Sequence, residues 1–385
     1  MCFETFGCRL NKAEALQMEA DYLAGGWELA EKHADADLFV VRGCSVTSRA
    51  QRDCEKLIAH LKRRYPTTPI KVCGCLTPPA SLIQRPDPPP PAAPAVPTRT
   101  ARAYLKVQDG CSGLCSFCIV PKFRGKPKSD PFGEVLDRAR RFIDAGHHEI
   151  VVTGCNLALY ASDGKRLPEL VSALAALDPA CRIRLGSLEP GPCAMDTISA
   201  MAERPNVCRF LHIPVQSGSS RVLLAMRRPY AEKDVVLTVE LATKLMPGLG
   251  PGCDLIAGFP GETDLEFSAT RGLVKRLPFN NAHVFPYSKR PGTIAAGFPN
   301  EIPPEVRSAR AGELSRIVER KRIKFAQSFI GKTVEIIVED EKKRCGRTGE
   351  YLTAEAVSGT VLRKAPVRLF VTKTEGTRLI GRIVK

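Results

Sequence analysis

Cys111-Ser112-Gly113-Leu114-Cys115-Ser116-Phe117-Cys118 places three thiols at spacings of four and three residues in one short loop. Gly110 and Gly113 let the loop turn, and Pro121 ends it. Three thiolates converging from one loop can hold a metal or an iron–sulfur cluster. Structural zinc sites close with four ligands, and typical iron–sulfur clusters also take four cysteines. A cluster held by three keeps one iron open, which is what a catalytic metal needs to bind a substrate or cofactor. The competing readings are half of a zinc ribbon and core cysteines acting as small hydrophobes. No second Cys-x-x-Cys follows to complete a ribbon, and the first gap is three residues.

Around that loop, residues 101–300 alternate strand and helix six times. Apolar runs predict strands over 103–108, 149–153, 182–185, 210–214, 254–257 and 282–286. Helical stretches lie between them, such as 131–145 with Val135, Ala139 and Phe142 on one face. Serial βα units imply a parallel sheet. Six units in about 200 residues predict an incomplete barrel, shorter than the eight-stranded form of roughly 250 residues. Chemistry in such barrels sits at the carboxyl ends of the strands. The cysteine loop follows the first strand, Gly154-Cys155-Asn156 the second and Ser187-Leu188-Glu189-Pro190 the third. Gln216-Ser217-Gly218 follows the fourth, Gly258-Phe259-Pro260-Gly261 the fifth and Tyr287 the sixth. Plain turn chemistry competes as a reading of each. By strand-end position, Ser187, Glu189 and Gln216 are the candidate cofactor contacts.

Residues 1–75 read as a smaller α/β unit, with strands over 2–6, 37–42 and 70–73 and helices over 12–24 and 47–64. The first helix carries Ala13, Leu16, Ala20 and Leu23 at helical spacing. Gly7-Cys8, Gly43-Cys44 and Gly74-Cys75 each end a strand. The carboxyl ends of parallel strands share one edge, so three cysteines far apart in sequence can meet there. Scattered structural cysteines are the competing reading.

Nine of the 20 residues from 78 to 97 are proline, so residues 76–100 read as an extended linker. Residues 303–330 predict a connecting helix made basic by Arg316, Arg320, Lys321, Arg322 and Lys324. Short runs over 333–338, 352–356, 359–362, 367–372 and 379–384 predict a small antiparallel barrel of the oligonucleotide-binding kind. Tyr351 and Phe370 are its only aromatics, so base stacking would be sparse.

The chain has 385 residues, 44% hydrophobic and 25% charged, as expected of a globular protein of two or three domains. No apolar run is long enough for a membrane span, and no secretory signal is read at the start. Fifteen cysteines then predict a reducing cytoplasm and metal chemistry rather than disulfides. The net charge of +16 implies a polyanionic partner. Residues 301–385 carry 19 basic and 11 acidic side chains, against 11 and 10 in residues 1–75, so the C-terminal end is the better candidate for that contact.

Cys-x-x-x-Cys-x-aromatic-Cys, with Phe117 as the aromatic, resembles the signature of the radical S-adenosylmethionine enzymes. The whole order resembles their methylthiotransferase branch. The N-terminal matches are Thr5-Phe6-Gly7-Cys8-Arg9-Leu10-Asn11, Gly43-Cys44-Ser45-Val46-Thr47 and Gly74-Cys75. The central matches are residues 111–121, 187–190, 216–218 and 254–260, with His283-Val284-Phe285-Pro286-Tyr287-Ser288 and Arg290-Pro291-Gly292-Thr293. Val338-Glu339 and Gly346-Arg347-Thr348 resemble a TRAM domain.

The resemblance implies an α/β methylthiotransferase domain at 1–75, a linker at 76–100 and a partial (β/α)6 radical barrel at 101–302. A connecting helix at 303–330 and a TRAM-like, RNA-binding barrel at 331–385 would complete the chain. It implies that Cys111, Cys115 and Cys118 hold a four-iron four-sulfur cluster that chelates and cleaves S-adenosylmethionine. Cys8, Cys44 and Cys75 would hold a second such cluster, which carries the sulfur to be transferred. The implied partners are tRNA, at its anticodon stem-loop, and an electron donor such as flavodoxin or ferredoxin. The Phe-Gly-Cys-Arg-Leu-Asn form of the first motif resembles the branch acting on N6-threonylcarbamoyladenosine at position 37. Isopentenyladenosine in tRNA and a ribosomal-protein aspartate are the other substrates of the family, and an iron–sulfur RNA binder or sensor is the non-enzymatic alternative. One departure from the family stands out: the resemblance implies a further stretch of folded α/β chain between the third cluster cysteine and the radical loop. Only 35 residues separate Cys75 from Cys111 here, so a last strand and helix are expected to be missing from the N-terminal domain.

Overall fold

The computed structural model describes residues 1–76 and 95–384, so most of the expected linker lies outside the described residues. Its last residues are tied down. Gln17 donates to the Ala95 carbonyl at 2.9 Å, and Arg99 pairs with Glu19 at 2.8 Å.

The N-terminal unit is a three-stranded parallel sheet of β1 (Cys2–Thr5), β2 (Phe39–Gly43) and β3 (Ile70–Gly74), in that order. The central strand β2 is buried along its whole length, which its unbroken apolar run foreshadows. Helix α2 (Ser48–Arg64) starts at Thr47, whose hydroxyl accepts from the Ala50 amide, and buries Cys54, Ile58 and Leu61. Helix α1 (Arg9–Ala24) departs from its expected stripe. Leu23 is exposed, while Asn11 and Glu19 are buried. The reason is that α1 packs on two bodies at once, its own sheet and the central barrel.

That barrel comprises β4 (Ala103–Asp109), α3 (Val120–Arg124), β5 (Lys128–Ser129), α4 (Phe132–Asp144) and β6 (Glu149–Gly154). It continues through β7 (Ala161–Ser162), β8 (Lys165–Arg166), α5 (Leu167–Leu177), β9 (Arg182–Leu185) and α6 (Pro192–Ala202). β10 (Phe210–Gln216), α7 (Ser220–Ala225), α8 (Glu232–Leu245), β11 (Gly250–Ala257), α9 (Asp264–Arg276) and β12 (Asn281–Pro286) close the run. β4, β6 and β9 pair in parallel, as do β10, β11 and β12. Parallel bridges at Ile183–Val207 and Ser187–His212 join the two sets. The six expected strands therefore form one parallel array with a shared carboxyl edge. Ala103, Leu105 and Val107 pack outward against the helices, so by alternation Tyr104, Lys106 and Gln108 face the lumen. The same rule turns Glu149, Arg184, Phe210, His212, Asp254 and His283 inward.

Helix α10 (Pro304–Gln327) leads to a closed five-stranded barrel of β13 (Thr333–Asp340), β14 (Cys345–Thr348), β15 (Thr353–Ala356), β16 (Pro366–Glu375) and β17 (Arg378–Ile383). Four of its pairings are antiparallel and the fifth, β15 with β17, is parallel. Residues 359–362 are not a strand. Val361 anchors to the core alone and Leu362 points to solvent. The strand in its place is β14, whose inward residues are Gly346 and Thr348 and so show no apolar period. Lys321 of α10 is not a solvated charge: its ammonium caps the carbonyls of Val274, Lys275 and Leu277 at the end of α9.

The small barrel docks at the amino ends of the central-barrel strands through buried ions. Glu149, the first residue of β6, accepts from Arg182 Nε at 3.1 Å and from Arg184 Nε at 2.7 Å. Arg182 also donates to the carbonyls of Glu335 and Arg347, and Arg184 to those of Thr348 and Gly349. Burial alone would raise the Glu149 carboxyl, but Arg184, Arg182 and Arg102 hold it at about 2. Removing one member of such a buried set strands the others. Glu149→Ala is expected to cost about 3–5 kcal/mol, read as a lower urea midpoint at neutral pH. A carboxyl lowered from 4.5 to about 2 stabilises fully above pH 4.5. The gap between wild type and variant should therefore narrow as pH falls from 4.5 toward 2.

Candidate active site

The cysteine loop leaves the carboxyl end of β4 and is braced on every side. The buried Gln108 amide donates to the carbonyls of Asp109 and Gly110, both at 2.7 Å, and accepts from the Asn156 amide. The Cys111 amide donates to the Gly125 carbonyl, closing the loop on itself. Ser116 bonds the carbonyls of Met226 and Ala225, and Phe117 packs against a cluster containing Val222, Met226, Phe259 and Tyr287. The signature aromatic therefore anchors the loop to the strand ends opposite.

The loop thiols fit an iron–sulfur cluster. The Gly113 amide donates to Cys111 Sγ at 3.2 Å. A Cβ on Gly113 would lie 3.1 Å from Cys111 Sγ and 3.6 Å from Cys115 Sγ, so a side chain there would crowd the Cys111 sulfur. Among the described residues, two groups of three donors lie within 4.8 Å of one another, Cys2–Glu4–His33 and His212–Asp254–His283. Neither includes a loop cysteine. Burial pushes the Cys118 thiol up to about 11, with Cys115 and Cys111 adding to it. Ligation would therefore release protons.

The N-terminal cysteines also converge. Cys8 caps α1 and is exposed, while Cys44 and Cys75 are buried past the ends of β2 and β3. Gly43 and Gly74 are in register, and the Cys75 amide donates to the Gly43 carbonyl. Gly7, at φ +96°, comes so close that its Cβ would lie 2.9 Å from Cys44 Sγ. Burial raises the Cys44 thiol to about 11, and Cys8 and Cys75 add to that rise. The second trio thus has the same donor chemistry as the first. All fifteen cysteines are free.

Of the three candidate cofactor contacts, Glu189 joins the loop most directly. It accepts from Asn156 Nδ2 at 2.8 Å and from Arg228, whose Nη1 donates to Cys115 Sγ at 3.1 Å. Ser187 is exposed at the carboxyl edge beside β10. Gln216 is buried at the end of β10 with φ +65°, where the ladder with β11 slips.

Three features escape a sequence reading. Arg228 follows the fourth strand's motif without any signal of its own. Arg124 reaches from one cysteine trio toward the other, bonding Cys75 Sγ at 3.1 Å and, two residues before Cys111, Asp109 Oδ1 at 2.9 Å. Asp254 takes His212 Nε2 at 2.9 Å and His283 Nδ1 at 3.0 Å in the lumen. Burial opposes its charge, yet the two imidazoles hold the carboxyl well below the usual range. Alternation along β10, β11 and β12 is the signal that could have found this last set.

Residues 105–274 match the Radical SAM superfamily, and residues 1–83 match the Uncharacterized protein family UPF0004. A tRNA-2-methylthio-N(6)-dimethylallyladenosine synthase of Chlorobium limicola is 31% identical, covering 98% of this chain and 96% of its own. The Threonylcarbamoyladenosine tRNA methylthiotransferase MtaB of Bacillus subtilis is 31% identical over 91% of this chain and 89% of its own. The chain belongs to the radical SAM methylthiotransferases. It is therefore an enzyme, a transferase whose family uses S-adenosylmethionine and four-iron four-sulfur clusters. The solved radical S-adenosylmethionine methyltransferase TsrM of Kitasatospora setae shares the fold, with a TM-score of 0.54 and 15% identity over 76% of this chain and 73% of that one. In this methylthiotransferase, Gly113→Ala is expected to weaken iron binding at the loop on the order of tenfold. Iron titration of the wild-type and variant apoproteins checks this, with matching thermal unfolding showing that the fold is intact.

Proposed function

We propose that this chain replaces the C2 hydrogen of N6-threonylcarbamoyladenosine, at position 37 of tRNA, with a methylthio group. What supports the reading is the presence of two cysteine trios, Cys111–Cys115–Cys118 and Cys8–Cys44–Cys75, with Arg124 bonding Cys75 of one and Asp109 beside the other. Each trio would hold one four-iron four-sulfur cluster with one iron open. When bound, the reduced loop cluster and S-adenosylmethionine would supply a 5′-deoxyadenosyl radical to take the C2 hydrogen, the second cluster would supply sulfur, and a second S-adenosylmethionine would supply the methyl group.

The chain's own residues bind, orient and shield. Glu189, fixed by Asn156 and Arg228, stands beside Cys111 and Cys115, where the amino group of S-adenosylmethionine needs an acceptor. Buried Phe210 and Arg184, with Tyr351, fill the amino end of the lumen and exclude water from that side. The lumen wall at His212, Asp254 and His283 is polar, which suits a threonylcarbamoyl substituent better than an apolar one. The Phe6-Gly7-Cys8-Arg9-Leu10-Asn11 motif supports the same branch. The second reading is dimethylallyladenosine, favoured by the name of the Chlorobium limicola relative.

Tyr351 does not offer its ring for base stacking, because it stacks on Phe210 at 4.4 Å. We infer that the C-terminal barrel meets the anticodon stem-loop through phosphates instead. Lys342, Arg363, Lys373, Arg378 and Arg382 are exposed there, and tRNA affinity should fall steeply with salt. A reduced flavodoxin or ferredoxin in the cytoplasm would be the electron donor.

Mass spectrometry of tRNA nucleosides tests the reading. A deletion strain should lose 2-methylthio-N6-threonylcarbamoyladenosine and accumulate its unthiolated precursor. Wild type, but not Cys115→Ala, should restore it. Loss of the dimethylallyl product instead would establish the second reading, and unchanged levels of both would contradict either.

A further inference from the structure

We propose that Arg124 is a positioning residue that holds the sulfur-carrying cluster in register with the radical cluster, by clamping the Cys75 sulfur to the end of β4. The inference rests on the ligand roles given above for the two trios. Arg124 is the last residue of α3, and its side chain is 7% exposed. A guanidinium has five N–H donors in a rigid fork, and all five are used. Nε donates to Cys75 Sγ at 3.1 Å. Nη1 donates to Asp109 Oδ1 at 2.9 Å and to Glu14 Oε1 at 3.1 Å. Nη2 donates to Asn11 Oδ1 at 2.7 Å and to Glu14 Oε2 at 2.9 Å.

These partners are the two sites' own supports. Asp109 ends β4 and accepts the Gly110 amide at 2.8 Å, one residue before Cys111. Asn11 donates to the carbonyls of Phe6 and Gly43, which lead into Gly7-Cys8 and Cys44. One planar group therefore touches a sulfur of the second trio, the backbone support of its other two cysteines, and the residue that launches the radical loop.

The charges point the same way. The carboxylates of Glu14 and Asp109 are joined to three cations, Arg42, Lys106 and Arg124. This set has one positive charge in excess, and the remaining acceptors on Arg124 are Asn11 Oδ1 and the Cys75 sulfur. A bond that served the fold alone would be complete with the two carboxylates. The Nε bond supplies a charge-assisted donor to a ligand sulfur, and such bonds raise the reduction potential of iron–sulfur centres. Lysine carries the charge but cannot span Cys75, Asp109 and Asn11 at once.

The test uses Arg124→Lys and Asp109→Asn in the full chain. In a Cys111/Cys115/Cys118 triple-Ala background, only the second cluster should load, at about four irons. There, Arg124→Lys should keep its iron but show a lower midpoint potential, while Asp109→Asn should match the background. In the otherwise wild-type enzyme, both variants should still cleave S-adenosylmethionine. Methylthiolated product per 5′-deoxyadenosine should fall by about tenfold or more, since misplacement near 1 Å costs up to a hundredfold. An unchanged potential and product ratio in Arg124→Lys would overturn the proposal. Failure of the triple-Ala background to take up any iron would overturn the second-cluster reading and this proposal with it.

Discussion

The buried fork of Arg124 is the contact on which the arrangement of this molecule turns. The two cysteine trios sit on separate sheets. Glu14, Asn11 and Cys75 come from the small N-terminal unit, whereas Asp109 and Arg124 belong to the radical barrel. The five bonds are interdependent, because a guanidinium without partners in that place would be a desolvated charge. Burial alone would make Arg124 easier to deprotonate, but its partners hold it firmly charged. α1 supports the joint by lying against β4, with Lys12 over the Tyr104 ring and Lys106 paired to Glu14.

A second buried ion set works at the opposite end of the strands. Glu149, Arg182 and Arg184 fasten the C-terminal barrel to the amino ends of β6 and β9. The barrel strands thus have a closed, structural end and an open, chemical end, as the parallel βα architecture favours. Between them, the lumen is lined with His212, Asp254 and His283 rather than with the packed aliphatic layers of a purely structural barrel.

Much of this was legible in the sequence because it is local. Three cysteines in eight residues, a glycine–cysteine pair at each N-terminal strand end and six apolar runs at regular intervals need no tertiary information. What was not legible is carried by pairs distant in the chain. Arg124 and Glu14 lie 110 positions apart, and Arg184 and Gly349 lie 165 apart. In sequence, Arg182-Ile183-Arg184-Leu185 reads only as a strand, whereas in the fold Arg184 is fully buried with Glu149 and two carbonyls around it. Tyr351 reads as a base-stacking residue, yet Phe210 covers one face of its ring and Arg347 lies 4.7 Å from the ring centre. β14 was missed because its inward positions are a glycine and a threonine.

Among the described residues, the N-terminal unit delivers Cys8, Cys44 and Cys75 to one edge with three strands. Whether three strands suffice to hold a cluster is the point on which the functional account stands. Iron and acid-labile sulfide per chain, after anaerobic reconstitution, should be measured on wild type and on the Cys111/Cys115/Cys118 triple-Ala variant. The account predicts about eight irons falling to about four. About four falling to none would contradict it, leaving a single-cluster radical enzyme with no sulfur carrier.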